Sequence, residues 1–432
     1  MWPADMSKTG DANVFRVVEG RVQMLKRIHF VLLSIGLCAA IAQAQVLPCP
    51  GYDPKSNVTL ACEIPTATRT SGTASSLGSL SPTLAAQLSQ LPMATAVTGT
   101  GLTFSKSLGV FTASDESLGT VLTQRGETIG RHKFLVSFTY QRFAFHAVDG
   151  VDLKNLPTIN SAVFGTTGTS YTQAQNAINL RVDQFTAIGS YGLTKQVDVS
   201  VIVPFSKVTL KTASAIHQYN VSSSGTLLSD FDLGTNFLPG SASGVGDITV
   251  NLKANVFNGE RTKLALAGDV RFPTGDAANY LGTGAYGIKP YLVFSRTGRV
   301  TPNASVGFQW NGASVLFADP KTGVHQNLPT AFLYSGGVDI RVVKKLTWTG
   351  EFLGQCVING PRLKMGTVNI PGQGDLKSVQ AVTASYSMNN AGTGIKWKPF
   401  KGLTVSANVM FSLDDAGLRS RVVPLVGAAY RF

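Results

Sequence analysis

From residue 133 to the end of the chain, apolar side chains recur at every second position, in segments of ten to fifteen residues joined by links of alternating length. A period of two is that of a β-strand, whose successive side chains point to opposite faces. Phe134, Val136, Phe138 and Tyr140 share one face, with Ser137, Thr139 and Gln141 on the other. Ile248, Val250, Leu252, Ala254 and Val256 alternate in the same way with Thr249, Asn251, Lys253 and Asn255. The pattern predicts about twelve strands, near 133–147, 177–191, 196–210, 246–257, 262–273, 286–296, 299–310, 330–343, 345–356, 384–398, 403–413 and 421–432. Their links run long, short, long, short, from 148–176 and 192–195 onward, so tight turns gather at one end of the sheet and loops at the other.

Two architectures alternate like this. A soluble sandwich points its apolar face inward. An outer-membrane barrel exchanges the faces, with apolar residues toward lipid, polar ones toward the lumen and long loops at one end only. The one-sided loops, the even strand count and aromatics near strand ends favour the membrane barrel. Tyr430, Phe432, Trp348 and Trp397 fall at the short-turn end and Phe205, Phe272, Trp310 and Phe411 at the other, as interfacial girdles would. Composition agrees: 44% of residues are apolar and only 14% charged, against roughly 25% charge in a typical soluble domain. Every backbone polar group in hydrocarbon needs a partner, so such a sheet has to close. The expected fold is therefore all-β, a transmembrane antiparallel up-and-down β-barrel over 133–432, preceded by an irregular segment. The strand 422–432 would close the barrel, with Val422, Pro424, Val426, Ala428, Tyr430 and Phe432 toward lipid. Pro424 has no N–H for the ladder, which predicts a bulge or a water-exposed lumen contact there.

The N-terminal part divides differently. Lys26 and Arg27 precede the apolar run FVLLSIGLCAAIA, which ends on Ala42, Gln43 and Ala44, a secretory signal layout over 24–44. Residues 1–23 then read as an upstream mis-start. Residues 45–132 are rich in Ser, Thr, Gly and Pro, with a helix candidate around Pro82–Leu91. They are expected to start in the periplasm, and part of 100–130 either threads the lumen as a plug or remains a periplasmic tail. Cys49 and Cys62 either bridge in this oxidising compartment or, with Cys356, stay as free thiols.

The residues point away from catalysis and toward transport. His132, His146, His217 and His325 are scattered through the chain, and GSASG at 240–244 carries Ala242 where a hydrolase nucleophile would stand. No pair of His has metal spacing, and no cofactor is expected. The net charge of +13 is spread singly through alternating segments, which argues against nucleic acid as a partner. Strand parity nominates Arg181, Asp183, Lys253, Lys263, Asp269, Arg271, Lys289, Arg341, Glu351 and Lys396 as lumen-facing. That set is either a positively biased pore with mild anion preference or a group of internal salt bridges bracing the wall.

Several stretches resemble a known family. SLGTVLTQRGETIGRHKFLVSFTYQRFAFHAVDGVDL (117–153), YGLTKQVDVSVIVPF (191–205), GVGDITVNLKANVF (244–257) and LALAGDVRFPTGD (264–276), with Gly282, Thr283 and Gly284, are similar to the outer-membrane transporter family associated with the meta-cleavage pathway of phenol degradation. The resemblance implies an outer-membrane barrel linked to passive uptake of small hydrophobic or aromatic solutes, and supplies no binding residues. The ending with Tyr430 and Phe432 also resembles the signal read by the barrel-assembly machinery, which with outer-membrane lipid would be a partner. The alternatives are a non-transporting structural protein, a surface-loop adhesin, or a barrel-embedded lipid hydrolase needing a Ser beside His146.

Overall fold

The computed structural model describes residues 58–68, 80–88, 102–105, 110–113, 122–165, 168–318, 325–400 and 402–432. Twelve strands form the wall: β1 (Phe134–Val148), β2 (Gly168–Gly192), β3 (Val197–Val221), β4 (Thr249–Asn258), β5 (Thr262–Arg271), β6 (Gly287–Arg296), β7 (Val300–Asn311), β8 (Thr330–Val343), β9 (Leu346–Ile370), β10 (Gly374–Trp397), β11 (Leu403–Ser412) and β12 (Val422–Arg431). Each pairs antiparallel with the next, and β12 pairs with β1 through Leu425↔Gln141 to Arg431↔Leu135. No open edge is left at the level of the short turns, as a sheet in hydrocarbon requires.

The alternation sorts as expected. On β12, Val422, Val426 and Tyr430 are exposed while Val423, Leu425 and Ala429 are buried. On β4, Leu252 and Val256 face out while Thr249, Asn251, Lys253 and Asn255 are buried inside. Outward aromatics mark both rims, with Tyr430, Phe432 and Trp397 at the short-turn end and Phe205 and Trp310 at the other. Strands β4, β5, β6, β11 and β12 are 10 residues long, the length that crosses a bilayer. β2, β3 and β9 reach 25 residues and stand far beyond that span. The strand Leu227–Val245 extends β3, and Leu156–Phe164 extends β2. Ile159 N donates to Ser378 Oγ at 3.0 Å, so the tall β2–β3 and β9–β10 walls touch above the barrel.

Pro424 departs from its expectation in part. Its side chain lies on the outer face, opposite Val409, not in the lumen. The irregularity is a break in the ladder to β1, which stops at Leu425↔Gln141 and resumes with a shifted register at Ser420↔Phe145. The missing N–H thus falls where no β1 partner is present.

Among the described residues two helices precede the wall, α1 (Leu60–Ala67) and α2 (Leu80–Leu88); α2 takes up the helix expected around Pro82–Leu91. Neither packs at the short-turn end. Leu60 N donates to Asn279 Oδ1 at 3.2 Å, and Asn236 Nδ2 donates to Ala67 O at 2.8 Å. Both partners belong to the long-loop side, where Leu60, Ile64 and Leu84 find the apolar cover that a short helix needs. The expected signal segment 24–44, the upstream stretch 1–23 and Cys49 lie outside the described residues. Cys62 is disulfide-bonded, and Cys356 is free.

Candidate functional site

The barrel interior has two tiers. In the tier nearest the short turns the inward side chains are polar, and residues 122–130 run among them, all but Gln124 buried. Ile129 N donates to Asp198 Oδ2 (2.9 Å), Gly126 N to Ser295 Oγ (3.1 Å) and Leu122 N to Glu351 Oε1 (3.1 Å). Wall side chains answer the carbonyls: Asn255 Nδ2 reaches Gly126 O at 2.7 Å and Lys253 Nζ reaches Arg125 O at 3.4 Å. Thr123 Oγ1 donates to Asn303 Oδ1 at 2.8 Å. An extended segment away from water has to satisfy its backbone groups, and the polar parity of β3, β4, β6, β7 and β9 supplies the partners.

Farther from the short turns the same inward parity becomes apolar. Phe143, Phe145, Leu180, Val182, Val208, Leu210, Met410, Val423 and Leu425 are buried there and form one cluster with Leu60, Ile64 and Leu84 of the helices. Phe143 and Phe145 stack, with ring centroids 5.8 Å apart and planes 7° from parallel. A uniformly polar lumen was the expectation; this tier departs from it because helices and tall hairpins cover it, so water does not fill it. Asp149 ties the cover together: its carboxylate takes Arg362 Nε (2.8 Å), Leu363 N (2.8 Å) and Gly417 N (2.9 Å). Glu63 of α1 is also buried in the cover, beside Gly240, where a Cβ would stand 2.0 Å from Glu63 Oε2. Burial pushes the Glu63 carboxyl up to about 8.

Between the tiers lies a cavity of about 230 Å³. One side is apolar, with Phe143, Phe145, Leu333, Leu353, Met410 and Val423. The other carries Asp269, Arg271, Lys289, Tyr291 and Gln309, and Leu122, Thr123 and Gln124 of the threaded segment also border it.

The residues nominated for the lumen divide accordingly. Lys253, Lys263, Glu351 and Lys396 are buried in the polar tier, and Lys396 lies in the field of Asp339 and Glu351. Lys263 Nζ bonds Asn258 Oδ1. Arg341 shares the inward parity of Asp339 at the short-turn end of β8. Asp269, Arg271 and Lys289 are at the cavity. Lys289 pairs with Asp269, and Arg271 Nη2 donates to Asn311 Oδ1 at 2.7 Å. Arg181 and Asp183 are the exceptions. Leu180 and Val182 are the buried, inward residues of that stretch, so the two charges stand on the outer face. Asp183 accepts from Tyr140 OH at 2.7 Å and lies 3.5 Å from Arg142 Nε. β2 overshoots the apolar belt, and above it charges are tolerated outside; Arg181 and Asp183 share the parity of the exposed Phe185 and Tyr191, while the apolar Ile178, Leu180 and Val182 face in, the reverse of a lumen lined by polar side chains.

The apolar side of the cavity escaped the sequence reading. Its signal was present in the apolar positions Phe143, Phe145, Val423 and Leu425 on faces that begin polar. The four nominated histidines remain apart; His132 Nδ1 is 2.8 Å from Tyr191 OH, and His217 Nδ1 is 3.5 Å from Asp230. Among the described residues no group of three His, Cys, Asp or Glu could hold a metal ion.

Comparison with solved structures gives distant similarities. The COG4313 outer membrane channel from Pseudomonas putida F1 matches at 12% identity and a TM-score of 0.43, over 72% of this chain and 100% of that one. The P. putida toluene transporter TodX matches at 10% identity and a TM-score of 0.31, over 70% of this chain and 89% of that one. The NanC porin matches at 8% identity and a TM-score of 0.34, over 69% and 98%. No curated protein matches the sequence. Residues 160–419, more than half of the chain, match the family model described as "Putative MetA-pathway of phenol degradation". The match runs from the extension of β2 to the edge of β12 and takes in most of the wall around the cavity, and the chain belongs to that family.

Proposed function

We propose that this protein is an outer-membrane channel for passive uptake of small hydrophobic or aromatic solutes, with its short turns in the periplasm and its tall hairpins outside. The observation that carries the reading is the apolar-sided cavity enclosed by a barrel whose polar tier is occupied by residues 122–130. A general pore for sugars or salts needs a continuous watery lumen, and backbone hydrogen-bonded to the wall stands where that water would run. Membership of the phenol-degradation family supports an aromatic cargo. The basic residues of the polar tier lie beside acids, as Lys396 does beside Asp339 and Glu351, which favours the bracing role over an anion-selective pore.

The test is influx into liposomes holding the purified full-length protein. Phenol-sized aromatics are expected to enter faster than through protein-free membranes, and a sugar of similar mass to be excluded. Equal influx of both would make the protein a general pore. No influx of either would make it an anchor or adhesin.

A further inference from the structure

The cavity has a polar end as well as an apolar side, and the chemistry of that end is specific. Asp269 is fully engaged: it accepts from Asn251 Nδ2 at 2.5 Å and Tyr291 OH at 3.3 Å and pairs with Lys289. Arg271 is not. Its Nη2 donates to Asn311, but its buried Nε has no hydrogen-bond partner and stands 3.8 Å from Asp247 Oδ2. Asp247 is itself occupied by Gly275 N, Thr283 N and Thr283 Oγ1. The guanidinium lies across Gly287 of β6, where a Cβ would come within 3.1 Å of Nη2. The Asp269↔Lys289 and Arg271↔Gly287 register then sets Lys289 diagonally next to Arg271, a separation that long side chains bridge. Lys289 keeps about a third of its side chain accessible. The charges of the polar end are balanced, Arg271 by Asp247 and Lys289 by Asp269, but it keeps donors to spare in Arg271 Nε and the accessible Lys289 ammonium, and its acceptors are already taken.

From this arrangement we infer that the cavity binds a single-ring or short-chain organic monocarboxylate, its carboxylate on Arg271 and Lys289 and its apolar body against Phe143, Phe145, Leu353 and Met410. An ionised carboxylate only accepts hydrogen bonds, which is what surplus donors need. Size limits the body: a cavity of about 150 Å³ holds benzene, so about 230 Å³ leaves room for one ring with a carboxylate and few further atoms. The inference rests on the channel reading and sharpens its cargo from apolar solutes in general to amphiphilic anions.

The experiment measures equilibrium binding of benzoate and of the neutral isostere benzyl alcohol to the detergent-solubilised full-length protein, with the liposome assay run beside it. Benzoate is expected to bind at least about tenfold more tightly than benzyl alcohol. Arg271→Gln should remove that preference by weakening benzoate binding, and Lys289→Gln, which spares the Arg271 contact to Asn311, should reduce it severalfold. Equal binding of the two probes, or a benzoate preference untouched by both substitutions, overturns the inference. If aromatics still enter liposomes in that case, the channel reading survives without it. If no solute enters while benzoate binds in an Arg271-dependent way, the inference holds and the channel reading fails.

Discussion

The two tiers of the lumen share one wall, one strand parity and one alternation, yet one is lined by Ser, Thr, Asn and Lys and the other by Phe, Leu, Val and Met. What differs is what each encloses. The polar tier holds an extended backbone whose N–H and C=O groups must be met one by one; the apolar tier holds helices and hairpin tips that bring side chains of their own. Strand β1 shows the change within a few residues, from Ser137, Thr139 and Gln141 to Phe143 and Phe145 on the same face. Lumen polarity in this barrel therefore follows the filling, and not the membrane alone.

Removing one residue from each tier should break different things. Glu351→Ala takes away the acceptor of Leu122 N and leaves Lys396 with less counter-charge. Uncompensated buried charge costs about 3–5 kcal/mol. The expected outcome is a loss of that order in urea unfolding from lipid vesicles, together with rapid proteolysis within 122–130. Phe143→Ala in the apolar tier should cost about 3 kcal/mol, at the low end for a buried aromatic because the cavity already borders it. It should leave 122–130 protected and enlarge the range of aromatics admitted. If both variants expose the threaded segment equally, the tiers are not independent.

A smaller effect concerns the cover. With the Glu63 carboxyl raised from 4.5 to about 8 in the docked helix, α1 docks with a proton bound. Docking is therefore strongest below pH 4.5, weakens as pH rises from 4.5 toward 8, and is level above that. Amide exchange in 60–67 should quicken relative to the wall across that window, and Glu63→Gln should flatten the dependence. The smallest effect belongs outside the lumen. Asp183→Asn should change stability by under about 1 kcal/mol, the ordinary worth of an exposed pair; a loss as large as that from Glu351→Ala would put Asp183 inside.

Much of this is legible in the amino-acid sequence alone. A two-residue period marks strands whatever they enclose, so the twelve strands, the closing role of 422–432 and the inward placement of Lys253, Asp269, Glu351 and Lys396 follow from alternation and link length. Strand length is less legible, since β2 and β3 run on beyond the bilayer without a change of period; strand parity misplaces Arg181 and Asp183 because it expects polar side chains to face in, whereas on this stretch the apolar Ile178, Leu180 and Val182 are the inward set. The apolar cover was hidden for a different reason. Leu60, Ile64 and Leu84 sit in a Ser- and Thr-rich stretch with too few apolar residues to signal a core, and they are buried only because the hairpins of distant strands meet over them.

The central claim is that residues 122–130 lie within the wall and divide the lumen, and a disulfide trap tests it most directly. Thr123 and Asn303 touch through their side chains at 2.8 Å, so a Thr123→Cys/Asn303→Cys variant assembled in the outer membrane should cross-link on mild oxidation and resist labelling by a membrane-impermeant maleimide. Free labelling of both cysteines with no cross-link would place the segment outside the barrel and contradict the account.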